Sequence, residues 1–452
     1  MVKSGSVVLC FLFLLSPVVS VASGDSAGIP EIWTARSSVE FSLAHSPDSR
    51  IALQRMKMAN AAIDLARVGY YPQVDISAQY GQTNNPMYSF GNILNHGAFT
   101  PSINFNDPGR TDGFNVRAGI GYRFYNGGRD LAAVKAAEAG VAQSRMERET
   151  VYACLAFEVV RSFQSMVQAK ELLAARKVSL DAIRASVAVA QARYNAGDLL
   201  KEDLLNLEVQ ESRVSENLIL AEHRLELSQK IFLNLLGLEE GTVEIDPLLD
   251  SQQQVPQQRS YSQRPELQSL THAEEVAVAN VQAARGGNLP TVDGFASYQY
   301  DKGYVIEGDG DSWMAGVKVN YRLFEGNRTQ ADVAQAMAAL ATIQAQRKKV
   351  ELGMDLEVKQ ADLSYRQAVQ RLRVTEKMVE QAEESARLSR SRFKEGVILS
   401  SDLIGVEMRL TDALVRKSVA RANIKIANAD LRRAMGLPQF EGMTSGVKEE
   451  GE

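Results

Sequence analysis

The sequence predicts a mainly helical chain with a small β part, built from one unit used twice. Three observations carry that expectation. The first is repetition: Tyr122-Arg123-Phe124-Tyr125-Asn126-Gly127-Gly128-Arg129 returns as Tyr321-Arg322-Leu323-Phe324-Glu325-Gly326-Asn327-Arg328, an offset of 321 − 122 = 199 residues. The second is a pair of long proline-free stretches, Arg129 to Asn195 and Arg328 to Glu395, with the length of coiled-coil helices. The third is four segments whose polarity alternates with period two.

The same offset of 199 carries Arg193-Tyr194 onto Arg392-Phe393, Gly197 onto Gly396, Asp203-Leu204 onto Asp402-Leu403 and Gly237-Leu238 onto Gly436-Leu437. Upstream, Pro47, Arg67 and Pro72-Gln73-Val74-Asp75 recur 290 − 72 = 218 residues later at Pro265, Arg285 and Pro290-Thr291-Val292-Asp293. The difference, 218 − 199 = 19 residues, gives the first copy a longer insert between residues 81 and 114. A unit of this length is a duplicated half, not a solenoid repeat.

In the first strand Val74, Ile76, Ala78 and Tyr80 oppose Gln73, Asp75, Ser77 and Gln79. In the second, Phe114, Val116, Ala118, Ile120, Tyr122 and Phe124 oppose Asn115, Arg117 and Arg123. The second copy repeats this. Val292, Ala296, Tyr298 and Tyr300 oppose Asp293, Ser297 and Gln299, and Trp313, Ala315, Val317, Val319, Tyr321 and Leu323 oppose Lys318, Asn320 and Arg322. Each segment is near the roughly 9–11 residues of a tilted membrane-crossing strand. Aromatics toward the strand ends fit interfacial girdles. The joins, Gln82 to Gly113 and Asp301 to Ser312, are rich in Gly, Asn, Pro or Asp and read as loops. Nothing between the strands can then cover an apolar face; lipid can.

After each strand pair comes a corner, Gly127-Gly128 or Gly326-Asn327, where glycine permits a sharp turn into the helix. Only Gly140 interrupts the first long helix, which at 1.5 Å per residue reaches about 100 Å. Turns at Gly197 and Gly396 lead to return helices over Lys201 to Leu236 and Ser401 to Met435, with Gly237 and Gly436 placed as C-caps. Shorter helices, Ser49 to Val68 and Glu266 to Arg285, precede the strand pairs.

The expected organisation is an export signal at 1–24, a first repeat at 25–240, a linker at 241–263, a second repeat at 264–437 and an acidic disordered tail at 438–452. The signal rests on Lys3, the apolar run Val7 to Val21 and small residues Ala22-Ser23-Gly24. That run is shorter than the ~20 residues of a spanning helix.

Composition excludes several classes. A net charge of −5 argues against a nucleic-acid partner. His45, His96, His223 and His272 show no metal-ligand spacing, and Asp309-Gly310-Asp311 lacks the calcium-loop pattern. Cys10 lies inside the apolar run, which leaves Cys154 without an internal disulfide partner. No nucleophile elbow, metal cluster or phosphate loop is present, so the expectation is a protein that is not an enzyme and takes no cofactor or metal.

Four strands cannot close a membrane barrel, because lipid leaves edge amides unsatisfied. The chain therefore needs strands from further copies, with the long helices leaving one barrel end side by side. At this point the chain resembles the TolC-type outer-membrane efflux protein family (outer membrane factors). The resemblance rests on the duplicated half, the corners at Phe124 to Gly128 and Leu323 to Asn327, and Arg-Tyr-x-x-Gly with its downstream Asp-Leu at Arg193 to Leu204 and Arg392 to Leu403. Pro47-Asp48 and Pro265-Glu266 match the family's Pro-acidic helix openings, whereas Asn327 departs from the second corner glycine.

The resemblance implies a homotrimer whose outer-membrane β-barrel continues as a periplasmic α-helical barrel. It implies a passive exit duct for efflux or type I secretion, with outer-membrane lipid around it. Its partners would be a periplasmic adaptor protein and an RND-type or ABC-type inner-membrane pump. It places Arg193, Tyr194, Gly197, Leu204, Arg392, Phe393, Gly396 and Leu403 at the adaptor-contacting tip. It places Asp402 at the pore constriction and Gly127, Gly128 and Gly326 at the strand-to-helix corner. A plainer role stands beside each: a helix end favours glycine, and a carboxylate such as Asp402 favours the first turn of a helix. A second aspartate that some members carry one turn later is Gly405 here, and Asp203 reads as structural. The alternative class is a periplasmic coiled-coil adaptor or structural protein without a pore. The cargo stays open.

Overall fold

The computed structural model describes residues 30–246 and 254–442. The expected signal at 1–24 and residues 443–452 of the tail lie outside the described residues. Strand β1 (Ile32–Trp33) and helix α1 (Ala35–His45) precede the first copy. That copy runs α2 (Pro47–Arg67), β2 (Gln73–Thr83), α3 (Pro86–Asn95), β3 (Thr111–Tyr125), α4 (Arg129–Ala196) and α5 (Lys201–Leu236). Strand β4 (Glu244–Ile245) lies between the copies. The second copy runs α6 (Pro265–Arg285), β5 (Thr291–Gly303), β6 (Gly308–Asn320), α7 (Arg328–Lys394) and α8 (Ser400–Ala434).

Helices α4 and α7 have 68 and 67 residues, which makes each about 100 Å long. Gly140 does not break α4, and a side chain there would meet open space. Helix α4 packs on α5, α7 on α8, and α4 also on α8. The return helices end where glycine takes the left-handed conformation. At Gly237 φ is 78°, its N–H donates to the Asn234 carbonyl at 3.0 Å, and Leu238 N–H donates to the Leu233 carbonyl at 2.9 Å. A Cβ at Gly237 would lie 3.1 Å from Pro47 Cδ, and one at Gly436 would lie 2.9 Å from the Arg264 backbone. The end of α5 therefore abuts the proline start of α2, and the end of α8 abuts the start of α6. In both copies the short helix extends the return helix along the long one.

Strands β2, β3, β5 and β6 form one antiparallel sheet in that order. The alternation read from the sequence sets its faces. Strand β6 stops at Asn320, short of the Leu323 that alternation suggests, because its partner β5 begins at Thr291 opposite Asn320. Strands β2 and β6 are the edges, each with one neighbour.

Buried apolar residues form separate clusters along the helices. The largest gathers Trp33, Val39, Val159, Phe163, Phe232, Leu236, Ile245 and Phe440 about midway along α4. Two of these, Ile245 and Phe440, lie in segments that the sequence suggests are linker and tail. Glu244–Ile245 pairs in parallel with Ile32–Trp33, so the 241–263 stretch is structured at its start. The tail expected to be disordered from Pro438 is packed at its beginning, with Gln439 and Phe440 at 3% and 4% exposure. Helix α1 is capped reciprocally: Ser37 N–H donates to Thr34 Oγ1 at 3.1 Å and Thr34 N–H to Ser37 Oγ at 3.0 Å. Helix α3 corrects the expectation that Gln82 to Gly113 is only loop. Cys154 is a free, exposed cysteine on α4.

Candidate functional site

The sheet separates its chemistry by face. On one side Val74, Ile76, Trp313, Val317 and Val319 are 65–77% exposed, a continuous apolar surface with no cover among the described residues. On the other, polar groups pair across strands. Arg123 Nε donates to Asp293 Oδ1 at 3.0 Å, Asn115 Nδ2 to Asp301 Oδ1 at 2.7 Å, and Arg117 Nη2 to Ser297 Oγ at 3.3 Å. One face suits lipid and the other suits water.

At the helix end of the sheet the pairing shifts between Arg123 and Tyr125, and the chain then turns. Gly127 and Gly128 have φ of 74° and 78°, and Gly326 and Asn327 have 65° and 62°. Crowding adds to the demand at Gly127, where a Cβ would come within 2.3 Å of the Gly286 carbonyl oxygen; at Gly128 it would meet nothing within 4 Å. The helix starts are clamped alike by different chemistry. Asn126 Oδ1 accepts from Asp130 N–H at 3.2 Å. Its counterpart Glu325 accepts from Thr329 N–H at 3.2 Å and also from the Thr329 hydroxyl.

The far ends of the two long hairpins meet. Arg193 Nη1 donates to the Phe393 carbonyl at 3.0 Å, and Nη2 donates to the Asp198 carbonyl at 3.1 Å. Ser400 Oγ donates to Asp203 Oδ1. Phe393, Leu204 and Leu403 are 2%, 5% and 0% exposed and share an apolar cluster with Leu180, Ile183 and Leu207. Their side chains hold the two hairpins together, so they cannot offer the contact surface that the motif assigns them. The surface of the tip is Tyr194, Gly197, Arg392 and Gly396, together with exposed Leu200, Val397 and Leu399, which motif reading missed. Asp402 is exposed in the first turn of α8.

Midway along, sequence reasoning missed an ion network. Arg264, 7% exposed in its side chain, binds Glu266 at 2.7 Å and also Glu357. Arg433 binds Glu357 and Asp430, each at 2.7 Å. Burial works to raise the Glu357 carboxyl, but hydrogen bonds from Arg264 and Arg433 outweigh it and hold the group below the usual carboxylate range. The network ties the start of α6 to α7 and α8. Among the described residues no cluster of three or more His, Cys, Asp or Glu could hold a metal ion. No described helix is long and apolar enough to cross a membrane.

The chain matches the outer membrane efflux protein family over residues 39–238 and 257–437, and it belongs to that family. It is 24% identical over 294 residues to outer membrane efflux protein BepC of Brucella suis, covering 64% of this chain and 63% of that protein. It is 25% identical over 304 residues to protein CyaE of Bordetella pertussis, covering 64% of this chain and 60% of that one. The chain thus spans less than two thirds of either relative. Its fold is similar to the CmeC outer membrane channel of Campylobacter jejuni, with a TM-score of 0.77 and 14% identity over 89% of this chain and 85% of that one. The TolC-type resemblance and the outer-membrane location therefore stand. The family is one of outer membrane efflux proteins, and the CmeC neighbour is an outer membrane channel.

Proposed function

We propose that three copies of this chain close into one barrel of about a dozen strands, continued by a helical conduit, and that the assembly is the passive exit duct of a tripartite efflux or type I secretion system. The observation that carries this reading is the sheet. Among the described residues it has four strands, an uncovered apolar face and two unpaired edges. Lipid can cover the face but cannot satisfy the edge amides, so another copy must. The long helices add support, since Leu352, Leu356, Leu363 and Val374 form a stripe on α7 that is 62–65% exposed. An adaptor has no use for lipid-facing strands, which argues against the coiled-coil alternative.

In this reading the hairpin tip, with Tyr194, Arg392 and the turns at Gly197 and Gly396, meets a periplasmic adaptor, and an RND-type or ABC-type pump in the inner membrane supplies energy. Asp402 lines the constriction. The corner at Gly127, Gly128 and Gly326 redirects each strand into its helix. The test is assembly and conduction together: light scattering of the detergent-purified protein and single-channel recording in planar bilayers. A trimer that conducts is expected. A monodisperse monomer that still forms pores would overturn the shared barrel.

A further inference from the structure

The extra residues of the first copy are built into the mouth of the sheet. They leave β2 at Thr83 and return at Thr111, at the end of the sheet farthest from the long helices. The equivalent connection in the second copy is the short turn 304–307 between β5 and β6. An insert at this position can project away from the strands, splay over the apolar face or fold over the polar face. Four glycines decide between these.

Gly113, Gly303, Gly308 and Gly310 lie at even spacing from Arg117, Gln299 and Ser312, so all four belong to the polar face. A Cβ at Gly113 would lie 3.5 Å from Asn92 Oδ1, and one at Gly303 would lie 2.4 Å from His96 Nδ1. At Gly308 it would lie 2.5 Å from the His96 carbonyl oxygen, and at Gly310 2.3 Å from that of Asn95. The end of α3 and the His96 turn therefore rest directly on the polar face: Asn92 is in ordinary contact range of Gly113, and at Gly303, Gly308 and Gly310 only glycine leaves room. The seating is packed. Ser89, Ile93 and His96 are 0%, 0% and 3% exposed, and they share one helical face with Asn92, whose Nδ2 donates to Thr111 Oγ1 at 3.1 Å. The residues beyond α3 brace it, since Phe90 packs at a tilt against Phe105 and edge-on against Phe99, with ring centroids 4.3 and 5.8 Å apart.

We propose that this insert is an exit lid: α3 and the residues after it cover part of the outer mouth of the duct and set the size of solute that passes between lumen and exterior. The proposal rests on the conduit reading, in which the polar face lines the lumen. It assigns size selection at the outer end to a segment that only the first copy carries, independently of the tip.

The test is access of an external thiol reagent to a lumenal cysteine in intact cells, which reads the outer mouth and not the tip. Ser77→Cys, on the polar face two rows below Gly81, is made in a Cys154→Ser background and exposed to a small maleimide and to a large polyethylene-glycol maleimide. The small reagent is expected to label, and the large one to be excluded. Gly310→Leu, which drives a side chain into the place of the Asn95 carbonyl, should admit the large reagent. So should replacement of residues 86–109 by a short turn, which guards against Gly310→Leu misfolding. Gly81→Leu, on the same face and rim but with open space around it, should leave exclusion unchanged. Labelling by the large reagent with the lid intact, or its continued exclusion after the lid is removed, overturns the lid. Failure of the small reagent to label the lidless protein overturns the conduit reading itself.

Discussion

The guanidinium of Arg193 sits 5.6 Å above the ring of Phe393, and its Nη1 reaches the Phe393 carbonyl at 3.0 Å. This contact joins the first hairpin to the second, and it is not mirrored. Arg392, the counterpart of Arg193, is exposed, and Tyr194, the counterpart of Phe393, is 38% exposed. The duplicated motif has therefore diverged into one clasp and one free surface. A stacked cation contributes about 1 kcal/mol, and a hydrogen bond from a charged donor about 1.5–3 kcal/mol. Arg193→Ala is expected to lower the opening free energy of the tip by about 2 kcal/mol, close to 30-fold in the opening equilibrium. Hydrogen exchange at residues 193–204 and 392–403 reads this directly. Arg193→Lys should restore little, because it lacks the planar fork. Unchanged exchange in Arg193→Ala would remove the clasp from the account.

The corner yields a prediction from its own asymmetry. Gly127 and Gly128 both have positive φ, but only Gly127 is also crowded, by the Gly286 carbonyl. The second copy places asparagine, at φ 62°, where the first has Gly128. Gly128→Asn should therefore leave folded assembly nearly intact. Gly127→Val should cost well over the roughly 1 kcal/mol of a strained φ, because the backbone must also move. The amount of assembled protein in the outer membrane is the readout. Equal levels for the two variants would show that crowding by Gly286 is relieved at no cost.

What was legible in the sequence had length or repetition behind it. The four strands could be read because alternation persisted long enough to assign faces, and the long helices because nothing breaks them. Helix α1 was not read, since its capping box uses Ser37 where a glutamate or glutamine is the recognisable partner. Helix α3 has ten residues amid Asn, Gly and Pro, and its local signal is Asn85 followed by Pro86, a cap and a first-turn proline. Strands β1 and β4 have two residues each, too short for any pattern. The duplicated motif marked the far ends of the two hairpins but not the direction of its side chains. Leu204, Leu403 and Phe393 turn inward because the two hairpins bury apolar surface against each other in one cluster.

Glu357 gives a pH prediction. Its folded-state carboxyl is held below the ordinary value of 4.5 by hydrogen bonds from Arg264 and Arg433, against the opposing effect of burial. A depressed carboxyl contributes stability that is present above its unfolded pKa and is lost as pH falls through the folded value. The junction of α6, α7 and α8 should thus weaken as pH drops below about 4.5. Glu357→Gln should cost about 1–2 kcal/mol at neutral pH, discounted because the side chain remains 34% exposed. It should also flatten the acid limb of the unfolding curve. An acid limb identical to wild type would show that other carboxylates carry the transition.

The last prediction separates two aspartates that the duplication makes equivalent. Asp203 accepts a hydrogen bond from Ser400 Oγ, and Ser400 is 0% exposed, so Asp203 binds one hairpin to the other. Asp402, its counterpart, is exposed in the first turn of α8. In a trimer whose tip closes around an axis, three Asp402 carboxylates would face one aperture and attract divalent cations. Asp402→Ala is then expected to raise single-channel conductance and weaken block by divalent cations, with thermal stability unchanged. Asp203→Ala should instead loosen the tip and leave conductance and block as they are. Leaving the buried Ser400 hydroxyl without its acceptor costs about 1–3 kcal/mol, which should appear as faster hydrogen exchange at the tip, with divalent block retained. If both variants shift block equally, the two copies line the aperture alike. If Asp402→Ala changes neither conductance nor block, that carboxylate does no more than favour the start of its helix, and the constriction must be sought among the exposed apolar residues Leu200, Val397 and Leu399.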